Sequence, residues 1–233
     1  DLVIENADRV EVVEWENTSA DGIIYLDLYG QSTEDTTYPL STNVEPSDAH
    51  NIELAYMFVP NAGTQTDLVE ISDLGVVSIN DNATVGGTGY IFIYPKDAVR
   101  VYDGIEQFVY YIDDENGNAV SYQTPLTQLG NYFEQIASGY YNKIDGTQQT
   151  KIYYSQFIQR IEVVVADGLS EETATRIYNS TQLENIQTNR HYELMNSITL
   201  SNWQSLAALT GSLRGTDENV VISFTGTSQP LFG

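Results

Sequence analysis

The first two-thirds of the chain alternates apolar and polar positions with a period of two. Ile24, Leu26 and Leu28 share one side of a segment whose other side carries Tyr25, Asp27 and Tyr29. A second run puts Ile52, Leu54, Tyr56 and Phe58 on one face and Glu53, Ala55 and Met57 on the other, the pattern of a half-buried strand. Shorter apolar runs follow at 68–71, 76–79 and 90–94. They are separated by the turn-formers Pro60-Asn61-Ala62-Gly63, Asp73-Leu74-Gly75, Asn80-Asp81-Asn82 and Gly86-Gly87-Thr88-Gly89. Several short strands with regular turn signals predict an antiparallel sandwich. A further strand at 108–112 runs into Asp113-Asp114-Glu115-Asn116-Gly117-Asn118 and returns over 119–123; the Asn116-Gly117 pair predicts a type I′ hairpin, because both residues tolerate positive φ. A short helix is expected over 131–137, and a strand over 160–165 that stops at Asp167-Gly168.

Beyond Gly168 the character changes. Ser170-Glu171-Glu172 suits a turn or a helix start, and Asn179-Ser180-Thr181-Gln182 offers N-cap residues for a helical turn carrying Leu183 and Ile186. The pattern divides the chain into residues 1–168, with an elaboration at about 96–159, and residues 169–233. The boundary is a shift of composition without a flexible linker, so the two parts are expected to be able to pack together.

Two stretches resemble known families. The segment Tyr38-Pro39-Leu40-Ser41-Thr42-Asn43-Val44-Glu45-Pro46-Ser47-Asp48-Ala49, then Leu74-Gly75-Val76-Val77, then Gly87-Thr88-Gly89-Tyr90-Ile91-Phe92-Ile93, resembles the bacterial Ig-like group 2 family over roughly residues 26–94. That family has a Pro-Ser-Asp-Ala turn, a glycine before a short valine-rich strand, and a closing strand opened by Gly-Thr. The chain departs from it in Tyr56-Met57-Phe58-Val59 with an added loop through Asp67, and in residues 96–159, which have no place in the minimal domain. The second stretch runs through Gln182-Leu183-Glu184-Asn185-Ile186, Tyr192-Glu193-Leu194-Met195-Asn196-Ser197-Ile198-Thr199-Leu200-Ser201-Asn202-Trp203 and Leu209-Thr210-Gly211-Ser212-Leu213-Arg214-Gly215. It is similar to the opening coil of right-handed β-helix surface proteins and adhesins. Together the resemblances imply a mainly β chain, an Ig-like sandwich followed by a β-helix-opener-like segment, placed outside the cell or on the surface of a Gram-positive bacterium.

Charge narrows the partners. Nine basic against 33 acidic residues give a formal net charge of −24, which repels nucleic acid and anionic membrane surfaces at long range. With only three lysines, Lys96, Lys143 and Lys151, most carboxylates face water, and solubility is the preferred reading of the acidity over calcium capture. The chain contains no cysteine, which excludes disulfides, thiolate metal sites and a cysteine nucleophile. Residues 1–6 lack the basic start and apolar core of a signal peptide, no run reaches transmembrane length, and the expectation is of a mature or trimmed fragment.

Tests for catalytic motifs fail: the sequence has no Gly-x-Ser-x-Gly, His-Glu-x-x-His, Ser-x-x-Lys or Gly-x-x-x-x-Gly-Lys. His50 and His191 lie far apart in sequence and make a poor metal set. Carboxylates are so abundant that no glycosidase pair can be singled out. The one calcium candidate is the loop carrying Asp113, Asp114 and Asn116, although Ile112 stands where an EF-hand would need its first Asp; a hairpin turn accounts for it without a metal. Lys151 is the best candidate for an isopeptide bond. Of the seventeen tyrosines, Tyr110-Tyr111, Tyr140-Tyr141 and Tyr153-Tyr154 are adjacent pairs, in which one ring should face the core and the other the surface. Trp15 and Trp203 are expected in the core or at its rim. The expectation is a non-catalytic surface or secreted protein for adhesion or scaffold presentation, without a cofactor, whose partner is a host or neighbouring-cell protein or glycan. The alternative is a carbohydrate-binding accessory module of a polysaccharide-degrading enzyme.

Overall fold

The computed structural model describes residues 10–13, 23–28, 37–40, 43–45, 53–144, 149–152, 154–156 and 158–233. The chain is mainly β, as the alternation predicts, and its strands form several small sheets.

A four-stranded sheet holds the first part together, in the order Ile23–Asp27, Gln159–Ala166, Gly87–Pro95, Leu54–Pro60. Its strand Gly87–Pro95 is apolar on both faces, and the register explains why. Ile91 and Ile93 point into a core with Ile24, Leu26, Ile161, Val163 and Val165. Phe92 and Tyr94 point the opposite way, into a second core with Phe108, Tyr110, Leu129, Ile136, Tyr141 and Ile158. Fully burying a side chain such as Phe92 stabilises by roughly 1.5–3 kcal/mol, so a strand with four such residues anchors both layers.

The first core is closed by a small antiparallel sheet ordered Thr37–Pro39, Val76–Ile79, Val69–Ile71, which contributes Val69 and Val77. The second is closed by the antiparallel strands Val99–Tyr102, Ile105–Asp113 and Ala119–Pro125 and by the helix Leu129–Ala137. Residues 96–159 are thus in large part a third layer. Arg160 fastens the helix to the sheet: its guanidinium stands 4.9 Å from the Tyr90 ring centre and 4.4 Å from that of Phe133, and lies 3.6 Å from Glu134.

Three expectations need correction. Leu54–Pro60 does not give one face to solvent: all its residues are half-buried, with Leu54, Tyr56 and Phe58 packed on one core and Ala55, Met57 and Val59 on the other. The sheet is not wholly antiparallel: Ile23–Asp27 pairs in parallel with Gln159–Ala166, which needs a long crossover, and the intervening layers supply it. The Asn116-Gly117 hairpin exists, with Asp113 opposite Ala119, but only Gly117 enters the left-handed region, at φ 78°. Its turn is a longer loop closed by Asp114 N–H on the Asn118 carbonyl. The two-residue turn with both φ values positive is Asp103-Gly104, at 51° and 78°. Val10–Val13 lies between Tyr154–Gln156 and Asn43–Glu45, and Tyr141–Ile144 pairs with Gln149–Ile152. The Pro-Ser-Asp-Ala segment at 46–49, Trp15 and His50 lie outside the described residues.

After Gly168 every ladder is parallel. Thr175–Ile177, His191–Leu194 and Ser212–Gly215 stack in one; Ile198–Ser201 and Ile222–Thr225 stack in a second; Leu206 and Phe232 form a bridge that starts a third. Successive passes of the chain lie on one another around a core of Ile177, Leu183, Tyr192, Leu194, Ile198, Leu200 and Trp203. The helix Ser180–Glu184 enters this stack with Asn179 as its N-cap, whose side-chain oxygen accepts the Gln182 N–H at 3.0 Å.

Candidate functional site

A buried, multiply bonded polar position lies at the seam where the strand Gln159–Ala166 hands over to the parallel stack. Asp167, 3% exposed, accepts the Gly86 N–H at 2.7 Å on one oxygen, and the Leu169 N–H at 2.9 Å and Thr173 hydroxyl at 2.7 Å on the other. Its carbonyl accepts from Arg190 at 3.0 Å. Gly168, at φ 68°, turns the chain in the left-handed region, donates to the Thr173 carbonyl and accepts from the His191 N–H. On the same seam the Tyr25 hydroxyl donates to the Ala174 carbonyl, and the Arg176 guanidinium lies 3.9 Å over the Tyr25 ring. Burial, with the Asp27 charge adding to it, holds the Tyr25 phenol far above its ordinary range. Arg214 extends the network, 3.3 Å from Glu193 and 4.0 Å from Glu171. Arg176 and Arg214 share Glu193, and the bonds of Asp167 tie the two parts of the chain together, the arrangement of a structural joint.

The sequence-named residues are dispersed. Asp113 accepts the Tyr140 hydroxyl at 2.7 Å. Asp114 accepts the N–H groups of Asn116 and Asn118, both at 2.8 Å, and these bonds hold its carboxyl below the usual range. Asn116 thus turns both its backbone N–H and its side chain to Asp114 within the loop. Among the described residues no group of three or more His, Asp or Glu is placed to hold a metal ion. His191 lies within a parallel ladder, its Nδ1 2.9 Å from the Ser212 hydroxyl. The side chain of Lys151 lies outside the described residues. Tyr110 is buried while its neighbour Tyr111 is half-buried, as the strand alternation predicts, but Tyr140 and Tyr141 are both buried. Trp203 is in the core.

Among the surfaces of the described residues that carry exposed apolar groups, two bear on binding. One is the antiparallel layer, where Tyr122 stacks on buried Tyr110 with ring centres 5.5 Å apart and stays open to solvent, and where Val101, Tyr102 and Ile105 flank the Asp103-Gly104 turn. The other is the far end of the parallel stack. There an open cleft of about 620 Å³ is lined by Leu194, Leu209, Leu213, Val220, Ile222 and Leu231 among others. In the ladder beside it Leu200 is 1% exposed, and Phe224, its partner in register, is 44% exposed.

The alternation in 191–200 signals strands but not that they stack in parallel, and Asp167 gives no local sign beyond preceding a glycine. Set against protein-family models, curated proteins and solved structures, the chain matches none. Among the described residues no helix is long and apolar enough to cross a membrane.

Proposed function

We propose that the chain is a non-catalytic binding scaffold of a bacterial surface or secreted protein. In this reading residues 1–168 are an elaborated Ig-like sandwich, residues 169–233 are a β-helix-opener-like segment, and the work of the whole is adhesion or scaffold presentation outside the cell. The observation that supports it is the joint at Asp167, which couples two differently built β units without a flexible linker. A rigid joint transmits orientation from one unit to the other, and a presenting element needs that orientation. The partner is a protein or glycan of a host or neighbouring cell, because the net charge of −24 disfavours nucleic acid and anionic lipid.

The exposed stacked ring of Tyr122, with Tyr102 on the same layer, favours a second reading, in which the antiparallel layer binds carbohydrate as an accessory module. A glycan array probed beside a panel of cell-surface proteins separates the two. Protein binding that survives Tyr102→Ala and Tyr122→Ala, with no glycan signal, supports adhesion. Glycan binding lost in those variants supports the second reading, and unaided cleavage of a polysaccharide defeats both.

A further inference from the structure

The antiparallel layer ends, in mid-chain, on a strand that lacks what keeps edge strands apart. Ala119–Pro125 is terminal in its sheet among the described residues, and residues 119–123 are all exposed. Native edges of this kind usually carry a lysine or another charge that repels a second strand. Here none of residues 116–133 is charged, in a chain of net charge −24. The strand's one proline, Pro125, stands at its last position, where it ends the edge without interrupting it.

The register fixes which backbone groups are open. Tyr111 and Tyr140 exchange both backbone hydrogen bonds, so the N–H and C=O of Tyr111 point away from Ala119–Pro125. Ser121 is its partner in register and sits at a non-hydrogen-bonded position of that ladder, so Ser121 turns its own N–H and C=O outward. The Asp114 N–H on the Asn118 carbonyl obeys the same alternation. Ala119 and Gln123 therefore open outward with Ser121, while Val120, Tyr122 and Thr124 face Ile105–Asp113.

Tyr122 stacks on its register partner Tyr110, and Val120, two residues away, shares that face. Val120 is 39% exposed and Tyr122 38%. Consider an antiparallel strand of the same sequence laid on this edge with Ser121 on a two-fold axis. Ser121 meets Ser121, and Ala119 and Gln123 meet each other twice, so the three outward residues of one strand match the three of the other in hydrogen-bonded pairs. At the closely spaced positions between them Val120 comes opposite Tyr122, again twice, and a β-branched residue beside an aromatic one is a favourable cross-strand pair. The strand is thus complementary to itself in hydrogen bonds and in side chains about a single point.

We propose that Ala119–Pro125 is the contact of a symmetric dimer, pairing antiparallel about Ser121 with the same strand of a second copy. The antiparallel layers of the two copies become one continuous sheet, and the closed two-fold contact uses up this edge. Two chains of charge −24 repel one another, and the uncharged run is where that repulsion is least. Antiparallel pairing also sets the acidic turns at 113–115 of the two copies at opposite ends of the contact. One short strand per copy makes an interface of the weak, reversible class. The inference goes beyond the binding-scaffold reading, since a dimer presents two units side by side whatever they bind, and it covers Tyr122 with a second copy in place of a sugar.

Sedimentation of the whole chain from about 5 to 500 µM tests it. Dimer is expected at the upper end, dissociating on dilution, and the dissociation constant should fall about threefold or more between about 0.05 and 0.5 M salt as the repulsion is screened. Ser121→Pro removes an outward N–H and spares the bonds to Ile105–Asp113; it should weaken the dimer about tenfold or more, as should Val120→Lys, which sets a charge beside the partner's Tyr122. A circular dichroism melt checks that both variants fold. Because the chain has no cysteine, a single introduced one reports the register. Ser121→Cys meets itself across the axis at a Cα separation of about 5.5 Å, whereas Gln123→Cys lies about 14 Å along the strand from its counterpart. Mild oxidation should link Ser121→Cys into a covalent dimer at least about tenfold faster than Gln123→Cys. Monomer at every concentration and salt, a dimer that the folded variants leave intact, assembly that runs past two, or equal cross-linking of the two cysteine variants overturns the proposal. Binding of the chain to cell surfaces is measured separately, so any of these results leaves the scaffold reading standing.

Discussion

Asp167 carries more hydrogen bonds than its place in the sequence suggests, and its partners include Gly86, 81 residues away. Replacing it by alanine leaves the half-buried Gly86 N–H, the Leu169 N–H and the buried Thr173 hydroxyl without their acceptor. A buried group orphaned in this way costs about 1–3 kcal/mol. Asp167→Ala should therefore lower the melting temperature by at least about 2–4 °C, the shift that goes with roughly 1 kcal/mol in a chain of this size. Calorimetry of the variant checks it, and an unchanged melting temperature contradicts the role given to the joint. Alkaline pH tests a second group of residues. Burial pushes Tyr94 up to about 12, with the Glu106 charge adding to it, and burial also raises Tyr25, Tyr110 and Tyr192. The folded state then keeps these phenols neutral where the unfolded chain, titrating near pH 10, has lost their protons. Their contribution to stability is fully present below about pH 10 and is lost as pH rises toward the folded values. Urea midpoints should fall between about pH 10 and 12, and Tyr94→Phe should make that fall shallower. Neither set of partners was legible in the sequence. A buried Asp and a buried Tyr look like exposed ones until the long-range packing around them is known, and Asp167-Gly168 has the local signature of an ordinary turn.

At the scale of elements the sequence was more informative, because local patterns act locally. The strand Gln159–Ala166, the helix Leu129–Ala137 and the Asn179 cap lie where periodicity and capping chemistry put them. Pairing direction was not legible, since alternation is the same in a parallel and an antiparallel strand. Leu54–Pro60 misled for a related reason: its second face is Ala55, Met57 and Val59, apolar enough for a core yet adjoining Glu53, so it passed for a solvent face. Close approach within the parallel stack is set by glycine. A Cβ on Gly211 would stand 1.9 Å from the Arg190 carbonyl oxygen, a backbone atom that cannot swing aside. Gly211→Ala should cost about 1–3 kcal/mol through forced separation of the His191–Leu194 and Ser212–Gly215 strands. Native-state hydrogen exchange reads this directly: protection should fall across that ladder and persist in Gly87–Pro95. Equal loss in both would mean that the stack and the four-stranded sheet unfold as one unit.

For the whole molecule, the three layers around Gly87–Pro95 and the parallel stack after Gly168 meet at a tight joint, and apolar groups are exposed on the antiparallel layer and on the stack. At the joint Asp167 and Tyr25 are held by hydrogen bonds, and Arg176 lies over the Tyr25 ring. The acidic surface keeps such a scaffold soluble and slows nonspecific contact with anionic polymers. The measurement that bears most directly on the binding role is an isotherm of the labelled chain on intact bacterial and host cells, repeated after protease treatment and after periodate oxidation of the same cells. The adhesion reading requires saturable binding that protease abolishes and periodate spares. The absence of saturable binding, or release of cleaved saccharide from the cells during the incubation, would contradict it.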